Sequence, residues 1–243
     1  MTEALAHRGP DAAGYFFEEE KGIGLGHRRL SILDLSEASN QPFYSQCGRY
    51  VMVYNGEVYN FEEIRLQVQA FRRHRYETRK ANPWVEQELP APDVFFQTTG
   101  DTEVILEAFA LWGVDIARRL NGMFAIAIYD RQEDRLFLFR DRMGIKPLYY
   151  YRDGSGQFVF ASELKALSRL PVFKKKAALN KSAIANYLYL GYIPGRQTIF
   201  RGVHRFPAGC YGIFDRLKTR CSLQCTATRP TPDAAWAFCL SRP

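Results

Sequence analysis

Two apolar runs follow one another closely, MFAIAIY at 123–129 and LFLFR at 136–140, with only the polar DRQEDR between them. A loop of that kind belongs to a hairpin, so the runs predict two antiparallel strands. The signal recurs where 149–152 and 157–161 flank DGSG, another hairpin turn. RYVMVY at 49–54 is a further candidate strand. Successive hairpins imply a mostly antiparallel sheet.

Helical periodicity is clearest at 101–112, DTEVILEAFALW. It has acids in the first turn, apolar residues at i, i+3 and i+4 spacing (Val104, Ile105, Ala108, Phe109, Trp112), and Gly113 where a C-cap belongs. A second helix is predicted over 181–190, with Asn180 as N-cap and Gly191 at its end. Strands early and late, with helices between and no regular β-α-β alternation, point to a layered α+β domain. Two stretches stand outside this pattern. From about 70 to 99 the chain is basic and interrupted by proline, which suggests a surface insertion, and after Tyr211 the hydrophobic pattern stops, leaving 212–243 unassigned.

Composition narrows the classes. No apolar run approaches the roughly 20 residues of a membrane span, and MTEALAHRGPD offers no apolar core for a signal peptide, so the expectation is a cytoplasmic protein with no membrane partner. The net charge of +7 raises nucleic acid as a partner. The charge gathers at Arg72 to Lys80, at Lys174 to Lys176 and in the tail, and it reads as solvated loops, with no nucleic-acid partner. Five cysteines, an odd number without a secretory signal, argue against a disulfide framework. With no C-x-x-C or H-x-x-x-H pair, no metal site is expected.

The polar turns hold the chemistry. HRGPD (7–11), GHRRLSILD (26–34), NGE (55–57), GDTE (100–103) and RDRMGIKPLYY (140–150) each set charged residues beside Gly or Pro at strand or helix ends. Singly each could be only a turn. As an ordered set, with NQP (40–42), YNGEVYN (54–60), NGMFAIAIYD (121–130) and FASELKAL (160–167), they resemble the N-terminal glutaminase domain of glutamine-hydrolysing asparagine synthetases, class II amidotransferases of the N-terminal nucleophile type. The resemblance runs from Leu5 to about Gly209 and implies a four-layer αββα sandwich.

The resemblance also implies roles. Asn55, through its side-chain amide, and Gly56, through its backbone N–H, match the oxyanion donors, each worth roughly 3–4 kcal/mol. Arg29 matches the clamp on the α-carboxylate of glutamine, and the backbone of Leu30, Ser31, Ile32 and Leu33 matches that side of the pocket. Glu57 and Asp101 match the acids that receive the α-ammonium, although Asp101 could serve simply as a helix N-cap. RDRMGIKPLYY and FASELKAL are read as structural supports.

The family's catalytic residue is an N-terminal cysteine whose α-amine is the base, and here the chain starts Met1, Thr2. The sandwich is therefore expected to lack its first strand and to show an open sheet edge. Cys47 is not expected to act as nucleophile. No Ser-Gly-Gly-x-Asp-Ser loop occurs, so ATP and magnesium are expected only for a synthetase domain outside this sequence, and the expectation is a truncated or frame-disrupted product with no cofactor of its own. Glutamine is the expected ligand, and a homodimer is an implied state of the intact family enzyme. The alternatives are a non-catalytic glutamine-binding remnant, a basic binding module, or another class II amidotransferase delivering ammonia to a sugar phosphate or phosphoribosyl acceptor.

Overall fold

The computed structural model describes residues 1–30, 36–80, 96–152, 156–171, 173, 178–216 and 220–225. Its centre is a six-stranded sheet of β3 (Phe43–Tyr44), β4 (Tyr50–Val58), β5 (Gly122–Asp130), β6 (Arg135–Arg140), β10 (Cys210–Asp215) and β11 (Arg220–Cys225), in the order β11-β10-β6-β5-β4-β3. The β5–β6 hairpin forms as its two apolar runs require, with Asp130 opposite Arg135.

Period-two alternation divides each central strand between two cores. Met52, Tyr54 and Val58 of β4 face α1 (Phe61–Lys80) and α2 (Asp101–Trp112), packing with Ile64, Val68, Val104, Ile105 and Phe109. Val51 and Val53 face the other way, onto a second β layer contributed by β1 (Ala12–Glu18), β2 (Ile23–Arg29), β7 (Tyr149–Arg152), β8 (Phe158–Ala161) and β9 (Val203–Arg205). There Phe16, Leu25, Leu148, Tyr150 and Phe206 close the core. On the far side Tyr151, Ala161 and Val203 pack against Ala166 and Leu167 of α4 (Leu164–Leu167). The layers are helix, sheet, sheet, helix, the expected αββα sandwich. α3 (Ile116–Arg119) and α5 (Lys181–Leu190) complete the helices used below.

The second β layer is in two pieces: β1 pairs with β2, and β8-β7-β9 form a separate three-stranded sheet. An open edge was expected, and among the described residues β2 pairs only with β1 and β8 only with β7.

Several sequence expectations need correction. The strand expected over 49–54 runs on to Val58, because β5 pairs with it as far as Val58 opposite Gly122, so Asn55, Gly56 and Glu57 lie in a strand and form no turn. The region from 70 is helical through Lys80, continuing α1, with Arg73 and Arg75 exposed and Arg72 turned onto Glu107; residues 81–95 are outside the described set. The break expected after Tyr211 falls inside β10, whose partner β11 follows. Cys210 and Cys225 are directly opposed in that pairing, with Cα atoms 4.0 Å apart, and form a disulfide that the cysteine count had argued against. Asp101 does not cap α2: Gly100 is at the N-cap. Asn180 does cap α5, its side chain accepting from the Ala183 amide.

The supports behave as read. Asp141 accepts from the amides of Met143, Ile145, Lys146 and Phe124, while Arg140 donates to the carbonyls of Lys146, Gly144 and Phe206. Glu163 holds His7 and Arg8, each at 3.1 Å, and so ties the 3-10 helix Thr2–Arg8 to the α4 end.

Candidate functional site

A cavity of about 910 Å³ lies between the central sheet and the second β layer. Arg29, Leu30, Asn55, Gly56, Glu57 and Asp101 all line it, although they come from three places in the sequence. Ser31, Ile32 and Leu33 lie outside the described residues.

Strand periodicity sets the β4 wall. Asn55 and Glu57 share the parity of Val51 and Val53, so both side chains belong to the face that looks into the cavity. Between them, Gly56 presents backbone. The even-numbered residues of β4 turn their polar groups off the strand edge, away from β5: the Tyr54 amide donates to Gln41 Oε1 (2.6 Å) and the Val58 amide to Asp101 Oδ2 (2.9 Å). Phe124, opposite Gly56, has its own N–H and C=O engaged with Asp141, which identifies the pair as a non-hydrogen-bonded one. β3 covers this edge only at Val51 and Met52. The Gly56 N–H is therefore an outward donor on a length of edge that no strand among the described residues covers, between two amides that already have side-chain acceptors.

Glycine is required there for a further reason. A Cβ at Gly56 would stand 2.2 Å from the Met123 carbonyl oxygen and 2.7 Å from Phe124 Cα. Close approach of β5, as well as access for a ligand, excludes a side chain.

Arg29 is buried at the end of β2, and its Nη1 donates to the Ser36 carbonyl (2.8 Å) and to Asn40 Oδ1 (2.7 Å). These bonds fix the guanidinium at the cavity wall, which explains why NQP accompanies GHRRLS. Asp101 is also buried; its Oδ2 accepts from the Tyr54 hydroxyl (2.6 Å) as well as from Val58, and burial raises its carboxyl above the usual range. That oxygen is committed to the protein.

His27 lines the cavity too and went unused in the sequence reading, despite its place in GHRRLS. Its Nε2 is 3.0 Å from the Tyr54 carbonyl oxygen, so Nε2 carries the hydrogen, and burial lowers the ring pKa to about 4. It is neutral at physiological pH, with a buried Nδ1 that meets no partner among the described residues. The useful signal was period two: His27 is two residues before Arg29 on one strand.

Among the described residues no cysteine lines the cavity. Cys47 is exposed beside Ser45 in the turn before β4, and Cys210 and Cys225 are joined. Nor is any group of three or more His, Cys, Asp or Glu side chains placed among those residues to hold a metal ion. No helix among them is long and apolar enough to cross a membrane.

A family model described as a glutamine amidotransferase domain matches residues 1–81 and 83–224. A Methanocaldococcus jannaschii protein named as an asparagine synthetase (glutamine-hydrolysing) is 36% identical over 231 residues, covering 88% of this chain and 40% of the relative. Asparagine synthetase (glutamine-hydrolysing) 3 of Bacillus subtilis is 34% identical over 208 residues, covering 84% of this chain and 29% of its own length. The chain thus spans well under half of these relatives. Among solved structures, glutamine phosphoribosylpyrophosphate amidotransferase from B. subtilis superposes with a TM-score of 0.50 at 18% identity, covering 85% of this chain and 35% of that one, a likeness of fold.

Proposed function

The chain belongs to the glutamine amidotransferase domain family, and on that premise we propose that the cavity where β2 and β4 end binds glutamine and holds its side-chain amide against donors placed for the oxyanion that a cysteine thiolate, the nucleophile the resemblance implies, forms on adding to the amide carbon. The Gly56 N–H carries the reading: it points off a strand edge that no strand among the described residues covers, flanked by the amides of Tyr54 and Val58 that have acceptors of their own. The Asn55 side chain lies on the cavity face beside it and is the second donor. A donor held where charge develops is worth roughly 3–4 kcal/mol, because it needs no reorganisation during the reaction.

Charge orients the substrate. Arg29, fixed by Asn40 and Ser36, takes the α-carboxylate, and Glu57 takes the α-ammonium. The two ends of an amino acid are thereby distinguished, and the carboxamide is directed to Asn55 and Gly56. In the setting of the longer relatives, the ammonia released would serve the ATP-dependent amidation of aspartate to asparagine; that chemistry is assigned to protein outside this sequence, along with its ATP and magnesium.

Titration calorimetry with glutamine, glutamate and asparagine tests the reading. Glutamine is expected to bind, and both Arg29→Ala and Glu57→Ala to weaken it at least tenfold. Unchanged affinity in both variants would overturn the assignment. A parallel assay of ammonia release separates two forms of the proposal: release together with binding makes the chain a glutaminase, whereas binding alone makes it a glutamine-binding domain.

A further inference from the structure

Lys146 lines the same cavity as Arg29, Asn55, Gly56 and Glu57, and glutamine binding leaves it without a task. It is half-buried, and its loop is fixed by the fold: the Lys146 amide donates to Asp141 Oδ2 (3.0 Å) and its carbonyl accepts from Arg140 Nε (2.8 Å). The side chain therefore starts from a rigid base. The other charges along the cavity are accounted for. Arg8 pairs with Glu163, Arg28 donates to the Gly9 carbonyl and lies 3.9 Å from Glu3, Arg29 is held by Asn40, and Asp101 accepts from Tyr54 and Val58. Among the described residues, Lys146 and Glu57 are the charged side chains lining the cavity that meet no ion-pair or hydrogen-bond partner. Glu57 suits a ligand's cation, and Lys146 suits an anion.

Lys146 is close to the oxyanion donors. Asp141 Oδ2 also accepts from the Phe124 amide, so the amide nitrogens of Phe124 and Lys146 are separated by no more than the two bonds to that oxygen, 3.3 and 3.0 Å, laid end to end. Phe124 is in turn the residue opposite Gly56, with Cα atoms about 4.5 Å apart in a non-hydrogen-bonded pair. Direction agrees with distance. The Gly56 N–H points off β4 on the side away from β5, so an amide oxygen bound there lies on that outer side. The three bonds of a trigonal carbon spread evenly in a plane, and the other two must turn back over the sheet. One leads through the side chain to Arg29 and Glu57. The other, to nitrogen, faces Met123 and Ala125 of β5, with Lys146 beyond them.

We propose that this cavity binds γ-glutamyl amino acids, with Lys146 taking the carboxylate of the residue attached to the γ-amide nitrogen. Arg29, Glu57, Asn55 and Gly56 hold the γ-glutamyl part as they hold glutamine, so the inference rests on that reading. The charges match: two carboxylates meet Arg29 and Lys146, and one ammonium meets Glu57. Lysine suits the second carboxylate because a point charge on a flexible four-carbon stem reaches it without demanding the fixed geometry of a guanidinium.

Titration calorimetry on the whole chain compares γ-glutamylglycine with γ-glutamylglycinamide, which keeps the length and loses the charge. The acid is expected to bind at least fivefold more tightly. Lys146→Met should remove that preference and Lys146→Arg should keep it, with glutamine affinity in both within twofold of wild type. Lys146→Gln replaces Lys146→Met where the latter does not fold, and the comparison of acid with amide on the unaltered protein needs no variant. Equal affinity for acid and amide would overturn the inference. So would a preference that survives the loss of charge at 146, which would assign the second carboxylate to Arg8 or Arg28, or an affinity for γ-glutamylglycine untouched by Arg29→Ala. Glutamine bound with no preference for the acid sinks this inference alone; no binding of glutamine or of either dipeptide sinks the glutamine assignment with it.

Discussion

The Tyr54 hydroxyl donates to Asp101 Oδ2 across 2.6 Å, joining the central sheet to the first residue of α2 inside the core. The same oxygen receives the Val58 amide, so one carboxylate sets the helix against the strand that carries Asn55, Gly56 and Glu57. Tyr54→Phe removes one of two donors from an acid already destabilised by burial. A loss of about 1–3 kcal/mol is expected, together with a further rise in the Asp101 pKa. Urea unfolding measures the first, and a change below about 0.5 kcal/mol would show that the bond contributes nothing net.

Gly56→Ala tests how closely β4 and β5 approach. With a Cβ 2.2 Å from the Met123 oxygen, the strands must separate, at a cost of about 1–3 kcal/mol in unfolding free energy. Glutamine binding should fall at the same time, since the strand that must move also carries the site. Normal stability in this variant would mean that β5 yields easily.

The basic run of α1 contains residues of two kinds. Arg72 pairs at 2.5 Å with Glu107, which is 1% exposed, whereas Arg75 is exposed. Arg72→Ala leaves a buried carboxylate without its cation and should cost about 3–5 kcal/mol. Arg75→Ala should stay within about 0.5 kcal/mol. Equal effects on the denaturation midpoint would contradict the distinction.

His27 should make stability depend on pH. Its ring titrates near 6.5 when unfolded and at about 4 when folded, because burial disfavours the charged form. Above 6.5 both states are neutral and the full stability is present. Between 6.5 and 4 the unfolded chain takes up a proton that the folded protein refuses, so stability is lost as pH falls through that window, by on the order of 1–3 kcal/mol. The difference between wild type and His27→Gln, followed by urea midpoint from pH 7.5 to 4, should show this slope; a constant difference would refute it.

Local pattern was a good guide where local forces decide. The helices over 101–112 and 181–190 and the hairpin strands follow from their own spacing, caps and apolar faces. It failed where a partner distant in sequence decides. Residues 55–58 look like a turn by composition, yet β5 holds them extended, from residues more than sixty positions later. β11 carries too little apolar periodicity to be seen alone and exists as a strand because β10 pairs with it. The Cys210–Cys225 disulfide follows from that register, which no count of cysteines reveals. His27 was hidden because a histidine's state depends on what covers it.

The sequence by itself determined the residue types gathered at the site, an arginine at 29 and Asn-Gly-Glu at 55–57, and the apolar runs that make the central hairpin. Tertiary structure alone decided which groups were left to act. Phe124 turns its polar groups to Asp141, and Gln41 and Asp101 take the amides on either side of Gly56. Hydrogen bonds saturate, so a donor becomes available to a ligand only once the rest of the fold has claimed its neighbours, and that depends on strands paired across the whole chain.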